Sequence, residues 1–125
     1  MRFHKLDDWL DWQSALHPRE IELGLERVAG VWRRLRPAGL SSRVITVAGT
    51  NGKGSSVAML EAIYLQANYR VGSYTSPHLV RYNERIRHNG EAASDERICE
   101  AFERVDQARN GTPLTYFEFG TLAAL

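Results

Sequence analysis

The chain has 125 residues, 43% of them hydrophobic and 25% charged, and its formal net charge is +1. That near-balance gives no basic surface of the kind nucleic acids select, and no stretch approaches the roughly 20 apolar residues that cross a bilayer, so neither a nucleic-acid nor a membrane partner is expected. A single cysteine, Cys99, excludes an internal disulfide framework, fits a reducing cytoplasm and reads as a small half-buried hydrophobe rather than a nucleophile.

The first sixteen residues mix charges with tryptophans and lack the apolar centre of a signal peptide. Leu6, Trp9, Leu10 and Leu16 fit one face of a short helix that His17-Pro18 closes. Ile21, Leu25, Val28, Trp32 and Leu35 then recur at steps of four, three, four and three, the period of an amphipathic helix, which Pro37 and Gly39 end. Arg33, Arg34 and Arg36 read as its solvated end. Glu22-Leu23-Gly24-Leu25 lies between the two helices, and Gly24 lets a ligand approach the backbone. From the residues alone, the plainer reading of a helix start is preferred.

The centre of the chain is Val44-Ile45-Thr46-Val47-Ala48-Gly49-Thr50-Asn51-Gly52-Lys53-Gly54-Ser55-Ser56. A β-branched run predicts a buried strand over 43–48 that feeds a glycine-punctuated turn with one lysine. Glycines 49, 52 and 54 let several N–H groups converge on one anion, Lys53 adds charge for the outer phosphates, and the following helix, about Lys53 to Asn68, adds its positive dipole end. The pattern G-x-x-x-x-G-K-[ST] is met imperfectly, because Val47 and Gly54 stand where a glycine and a hydroxyl belong. Val57, Leu60, Tyr64 and Ala67 are expected to face the sheet, and a second strand is expected over Val71 to Thr75. Strand, helix and strand predict an α/β fold with a P-loop-type parallel sheet, incomplete and flanked by helices, whose ligand lies at the carboxyl ends of the strands. That places Ser76 beside the phosphate loop, where its hydroxyl is a hard oxygen of the kind magnesium takes.

Arg81 to His88 alternates, and Asn89-Gly90 is a tight-turn signal, so a hairpin ending near Ala92 is expected, with Leu79 to Glu84 as a loop. Ser94 caps a helix with Ile98, Ala101, Phe102 and Val105 as its buried stripe, ended by Asn110-Gly111. Thr115-Tyr116-Phe117-Glu118 is a capping box opening a last helix. Phe117 to Leu125 ends without a capping glycine, and it reads as cut rather than finished. The organisation expected is therefore a helical lead-in over 1–40, a strand, loop, helix and strand over 43–75, a loop and hairpin over 76–92, and helices over 94–125.

Gly-Thr-Asn-Gly-Lys-Gly-Ser, Tyr74-Thr75-Ser76-Pro77-His78-Leu79 and Arg81-Tyr82-Asn83-Glu84-Arg85-Ile86 resemble the bacterial dihydrofolate synthase/folylpolyglutamate synthase family, a branch of the Mur ligases. The resemblance runs through almost the whole chain but covers about the first third of such an enzyme. It implies an ATP-dependent ligase of folate biosynthesis in the cytoplasm that joins L-glutamate to dihydropteroate or folate through an acyl phosphate, with ATP as co-substrate and Mg2+ as cofactor. It implies that ATP sits on Gly49, Thr50, Asn51, Gly52, Lys53, Gly54 and Ser55, that Lys53 is catalytic and that Ser76 is a magnesium ligand. The pterin falls to Glu22, Leu23, Gly24 and Leu25 and to Thr115, Tyr116, Phe117 and Glu118, whose rings can stack on it and whose carboxylate can accept from its N–H groups. The rest of the ATPase domain and a C-terminal glutamate-binding domain are expected beyond Leu125, so the 125-residue chain by itself is expected to be inactive and to self-associate through open apolar surface at Val44 to Val47 and Phe117 to Leu125. The alternatives are a phosphate-binding piece without catalysis and, weakened by Val47 and Gly54, a P-loop kinase or GTPase.

Overall fold

The structure is a computed structural model that describes residues 1–18 and 23–125. Mixed helix and sheet follow one another as α1 (Leu6–Leu16), α2 (Glu26–Leu35), α3 (Lys53–Gln66), β1 (Gly72–Tyr74), a 3-10 turn at Tyr82–Arg85, β2 (Ile86–His88), β3 (Glu91–Ala92), α4 (Asp95–Arg109) and α5 (Tyr116–Ala124). They form two compact units, Met1–Ser41 with Asp95–Leu125, and Ser42–Ser94. None of the described helices is long and apolar enough to cross a membrane.

The first unit is helical, and an aromatic cluster fills it. Trp9, Phe102 and Phe119, from α1, α4 and α5, are fully buried. Their ring centroids lie 5.8 Å (Trp9 to Phe102), 6.3 Å (Trp9 to Phe119) and 5.6 Å (Phe102 to Phe119) apart, in tilted and edge-on arrangements that suit the ring quadrupoles. The Trp9 indole N–H donates to the Phe3 carbonyl at 3.0 Å, so the ring is buried without stranding its polar atom. Trp12 packs edge-on to Phe119, and the guanidinium groups of Arg2 and Arg109 lie 4.6 and 5.3 Å from its ring centroid. As expected, α1 ends at His17, whose extended backbone (φ −122°, ψ 135°) is what a following proline imposes.

Helix α2 departs from its expected stripe. Leu25 is the N-cap and is 75% exposed, Ile21 lies outside the described residues, and Val31 is the fully buried residue. The burial period starts one turn later because the helix does. Arg33, Arg34 and Arg36 are exposed, as expected of a solvated end, and Arg34 is bonded there as well. It donates to the Ala108 and Arg109 carbonyls at 2.6 and 3.0 Å and to Thr112 Oγ1 at 3.1 Å, meeting the carbonyls left open where α4 ends. That helix ends as expected, with Asn110 and Gly111 both in the left-handed region (φ 46° and 80°). Its buried stripe is Ile98, Cys99, Phe102 and Val105, with Ala101 only half-buried, and burial pushes the Cys99 thiol up from its ordinary value.

The second unit corrects the expected sheet. Among the described residues the strands form one antiparallel sheet in the order β1-β2-β3, with Gly72 opposite His88, Tyr74 opposite Ile86, and Arg87 opposite Ala92. Residues 43–48 carry no strand ladder, and Val44 and Ile45 are 63% and 56% exposed, so the parallel pairing expected between 43–48 and 71–75 is not formed. β-propensity describes fit to a sheet surface and does not create one; without a neighbour for its N–H and C=O groups the run stays extended and open. The hairpin forms as expected, with left-handed Asn89 (φ 51°) and Gly90 (φ 85°) at the turn.

Helix α3 half-buries Val57 and Leu60 as expected, but Tyr64 is 37% exposed and Ala67 is exposed, whereas the carboxylate residue Glu61 is buried. Glu61 accepts from the Ser73 hydroxyl at 2.8 Å and from Arg87 Nε at 3.2 Å, and Arg87 Nη2 pairs ionically with its Oε1 at 3.2 Å. Arg87 also donates to the Gly90 carbonyl, so one carboxylate ties α3 to β1, β2 and the hairpin turn. A buried charge answered by an arginine and a hydroxyl explains why a glutamate occupies the inward position.

Trp9→Ala should lower the stability of the helical unit by about 3–5 kcal/mol, since it empties the centre of the aromatic cluster. Chemical denaturation followed by helix signal checks this, and a loss under about 1 kcal/mol would show that Phe102 and Phe119 close the core without Trp9.

Candidate functional site

The sequence-predicted residues fall into both units, and each group has its own geometry. In the second unit the chain leaves the extended run at Val47-Ala48 and turns at 49–52. Gly52 is the N-cap of α3 in the left-handed conformation (φ 76°), a position that penalises any residue with a Cβ. A Cβ at Gly52 or Gly54 would meet nothing within 4 Å, and one at Gly49 would meet only the Asn51 carbonyl at 3.9 Å, so the glycines face open space. Room at the start of a fourteen-residue helix, with its first N–H groups unpaired within the helix, is what a polyphosphate needs. Lys53 folds back over the turn and donates to the Gly49 carbonyl at 2.6 Å. Thr50, Asn51 and Ser55 are exposed beside it.

Strand β1 delivers Ser76. The Thr75 N–H still pairs with the Arg85 carbonyl at 2.9 Å, so Ser76, exposed, is the first residue past the ladder. The Ser76-Pro77 peptide is cis. His78 follows, and its Nδ1 accepts from Arg85 Nε at 2.8 Å, which commits that nitrogen as an acceptor because a guanidinium only donates. The Arg85 guanidinium in turn lies 5.4 Å from the centroid of the Tyr82 ring. The loop beyond is held from within: Glu84 accepts from the N–H groups of Leu79, Val80 and Arg81 at 3.1, 2.9 and 2.6 Å. The Arg81 amide above all, with those of Leu79 and Val80, holds the Glu84 carboxyl below the usual carboxylate range. This clamp presents Leu79 and Val80 almost wholly to solvent, at 92% and 85% exposure. Among the described residues no group of three acidic, histidine or cysteine side chains could hold a metal.

In the first unit the capping box forms as expected: the Glu118 N–H donates to Thr115 Oγ1 at 3.2 Å and the Thr115 N–H to Glu118 Oε2 at 3.1 Å. The pattern did not disclose Arg27. Its Nη2 donates to Glu118 Oε1 at 2.7 Å and its Nη1 to Glu118 Oε2 at 2.9 Å, a two-pronged ion pair across 91 residues of sequence. Through it the structure brings together the start of α2, preceded by Leu23, Gly24 and Leu25, and the start of α5, with Thr115, Tyr116, Phe117 and Glu118. Leu23, Leu25 and Phe117 are 89%, 75% and 51% exposed, while Phe119 and Leu122 point into the core. Gly24 is in the left-handed region at φ 105°. Glu22 lies outside the described residues. An isolated Arg and Glu far apart in sequence carry no spacing signal, which is why Arg27, like Glu61 and Arg87, was not foreseen.

No family model matches the chain. It is 48% identical over 120 residues to the dihydrofolate synthase/folylpolyglutamate synthase of Escherichia coli (strain K12), a match that covers 96% of this chain and 28% of that protein. The protein of the same name from Haemophilus influenzae is 44% identical over 120 residues, again 96% of this chain and 27% of the relative. Among solved structures, E. coli FolC in complex with DHPP and ADP superposes with a TM-score of 0.93 at 46% identity, over 97% of this chain and 29% of that one. The bifunctional folylpolyglutamate synthase/dihydrofolate synthase of Yersinia pestis CO92, complexed with AMPPNP and Mn ion, gives a TM-score of 0.90 at 48% identity, over 97% and 30% of the two chains. The chain thus spans a little over a quarter of the length of the relatives it matches. Over the stretch that it shares with them, the chain is similar in sequence and in backbone to the dihydrofolate synthase/folylpolyglutamate synthases.

Proposed function

We propose that this chain is the ATP- and pterin-binding portion of an ATP-dependent ligase that adds L-glutamate to dihydropteroate, to folate or to both. The observation that carries the reading is the match at 48% identity across 96% of the chain, glycine turn included, to a protein of that name. The open glycine turn at the start of α3 supports a P-loop-type phosphate site, with the unpaired 43–48 run leading into it. The chain is then the N-terminal part of a Mur-ligase-like ATPase domain that works in the cytoplasm.

In this reading the γ-phosphoryl group of ATP passes to the substrate carboxylate, leaving ADP and an acyl phosphate. The amine of L-glutamate then attacks the acyl carbon, phosphate leaves and an amide remains once the nitrogen gives up its proton. The N–H groups of residues 49–55 cradle the phosphates. Lys53, released from the Gly49 carbonyl, neutralises charge that grows on the transferring group. Ser76 would hold Mg2+, with ligands from outside this chain. It fits as a hard, exposed oxygen just past β1, where the loop itself has Gly54 in place of a hydroxyl. The metal supplies charge neutralisation at the phosphates. Leu23, Gly24 and Leu25, with Glu22, and the segment Thr115 to Glu118 seat the pterin, whose flat ring suits the exposed face of Phe117.

Two substitutions in the natural full-length protein test this. Lys53→Ala should cut ATP-dependent ligation on the order of 100 to 1000-fold, as expected for loss of one charge-stabilising donor, and wild-type turnover at saturating ATP would overturn the role. For the metal, Ser76→Ala should raise the magnesium concentration needed for half-maximal rate more than Ser55→Ala does. The reverse order in a magnesium titration would put the ligand on the phosphate loop instead.

A further inference from the structure

The two segments assigned to the pterin are about ninety residues apart in sequence, and among the described residues the side chain of Arg27 joins them. Arg27 sits in the first turn of α2, two residues after Leu25. Its Nη1 donates to the Pro113 carbonyl at 2.7 Å as well as to Glu118 Oε2 at 2.9 Å, while Nη2 holds Glu118 Oε1 at 2.7 Å. The guanidinium therefore grips the chain on both sides of Thr115, the N-cap of α5: a carbonyl two residues upstream and a carboxylate three residues downstream. Two parallel N–H···O bonds from a planar fork fix orientation as well as distance, which a lysine could not do.

The same contacts limit what Glu118 can do. A carboxylate offers about four acceptor positions. Three are taken, by Nη1 and Nη2 of Arg27 and by the Thr115 N–H. Its charge is already answered by a guanidinium, and its side chain is only 12% exposed. Glu118 is better placed to hold the turn than to receive a ligand's N–H groups.

Trp9, Phe102 and Phe119 make the core, and the far end of α2 is held by buried Val31 and by the bonds of Arg34 to the end of α4. The fork acts at the near end, where Leu23 and Leu25 are exposed and packing is thin. The fork ties the start of α2, just after left-handed Gly24, to the start of α5, which carries the half-exposed ring of Phe117.

We infer that Arg27 is a positioning residue for a flat, fused heteroaromatic ligand. By gripping Glu118 and Pro113 it ties the start of α2 to the start of α5, so that the Gly24 backbone and the Phe117 ring meet the ring system in a fixed relation. This rests on the pterin reading above. It moves Glu118 from ligand contact to partner of Arg27.

The test is equilibrium binding of dihydropteroate, and separately of ATP, to the natural full-length protein and its variants. Arg27→Ala and Glu118→Gln should each raise the dihydropteroate Kd roughly tenfold or more, as small misplacements of a recognition surface do. ATP affinity and melting temperature should stay close to wild type. The double variant should lose no more than either single one, because the two residues act as a unit. Arg27→Lys, which keeps the charge and loses the fork, should recover only part of the affinity; it also serves if Arg27→Ala fails to fold. Additive losses would overturn the inference by showing that Glu118 touches the ligand itself. Equal loss of ATP and dihydropteroate binding would overturn it as general damage. Unchanged dihydropteroate affinity in Arg27→Ala, with weakened affinity in Phe117→Ala, would remove the role of Arg27 and leave the pterin reading standing. If Phe117→Ala also binds normally, that reading falls and the inference with it.

Discussion

The helical unit exists because residues from the two ends of the chain share one aromatic core. Trp9 on α1 meets Phe3 and Trp12 nearby in sequence, but the fully buried rings that complete the core around it, Phe102 and Phe119, come after the whole of the Ser42–Ser94 unit. Everything attached to that unit inherits the condition. The bonds of Arg34 to the end of α4 and the Arg27–Glu118 fork can form only once α4 and α5 have been brought back against α1 and α2. The entropy of closing that long connection is met by three fully buried aromatic rings rather than by the ion pairs, since partly exposed pairs stabilise little.

What the sequence disclosed follows from range. Features decided within four or five residues were legible: the stop of α1 at His17-Pro18, the Asn89-Gly90 turn, the end of α4 at Asn110-Gly111 and the Thr115–Glu118 capping box all formed where their residues stand. Features decided by partners far along the chain were not. The run 43–48 has every local mark of a buried strand, yet its state depends on neighbours, and among the described residues it has none. Nothing within α3 marks Glu61 as the inward residue; its partners Ser73 and Arg87, 12 and 26 residues on, do. The glycine turn is local too, and left-handed Gly52 caps α3 where the glycines stand, while the partners of Arg27 and Glu118 were not legible.

Two carboxylates, Glu61 and Glu118, are thus the organising polar groups of their respective units, and each is paired with an arginine distant in sequence. In both, the pair ends next to a segment proposed to bind substrate: Glu61 through Ser73 on the strand that leads to Ser76, and Glu118 at the turn that carries Phe117. The cores supply most of the stability, and the ion pairs supply direction, since a forked or multiply bonded carboxylate restricts angle where apolar contact does not.

The split of the helical unit across the chain also sets a schedule during synthesis. The Ser42–Ser94 unit is continuous and complete before α4 begins, so it can fold as it emerges from the ribosome. Helices α1 and α2 cannot. At translation rates of about 5–20 residues per second, the chain from Ser41 to Phe119 takes roughly 4 to 16 seconds to make. For that interval Trp9, Trp12 and Val31 are in the cell without the surfaces that cover them. The N-terminal helices are therefore the part of this nascent chain that holdase chaperones should recognise first.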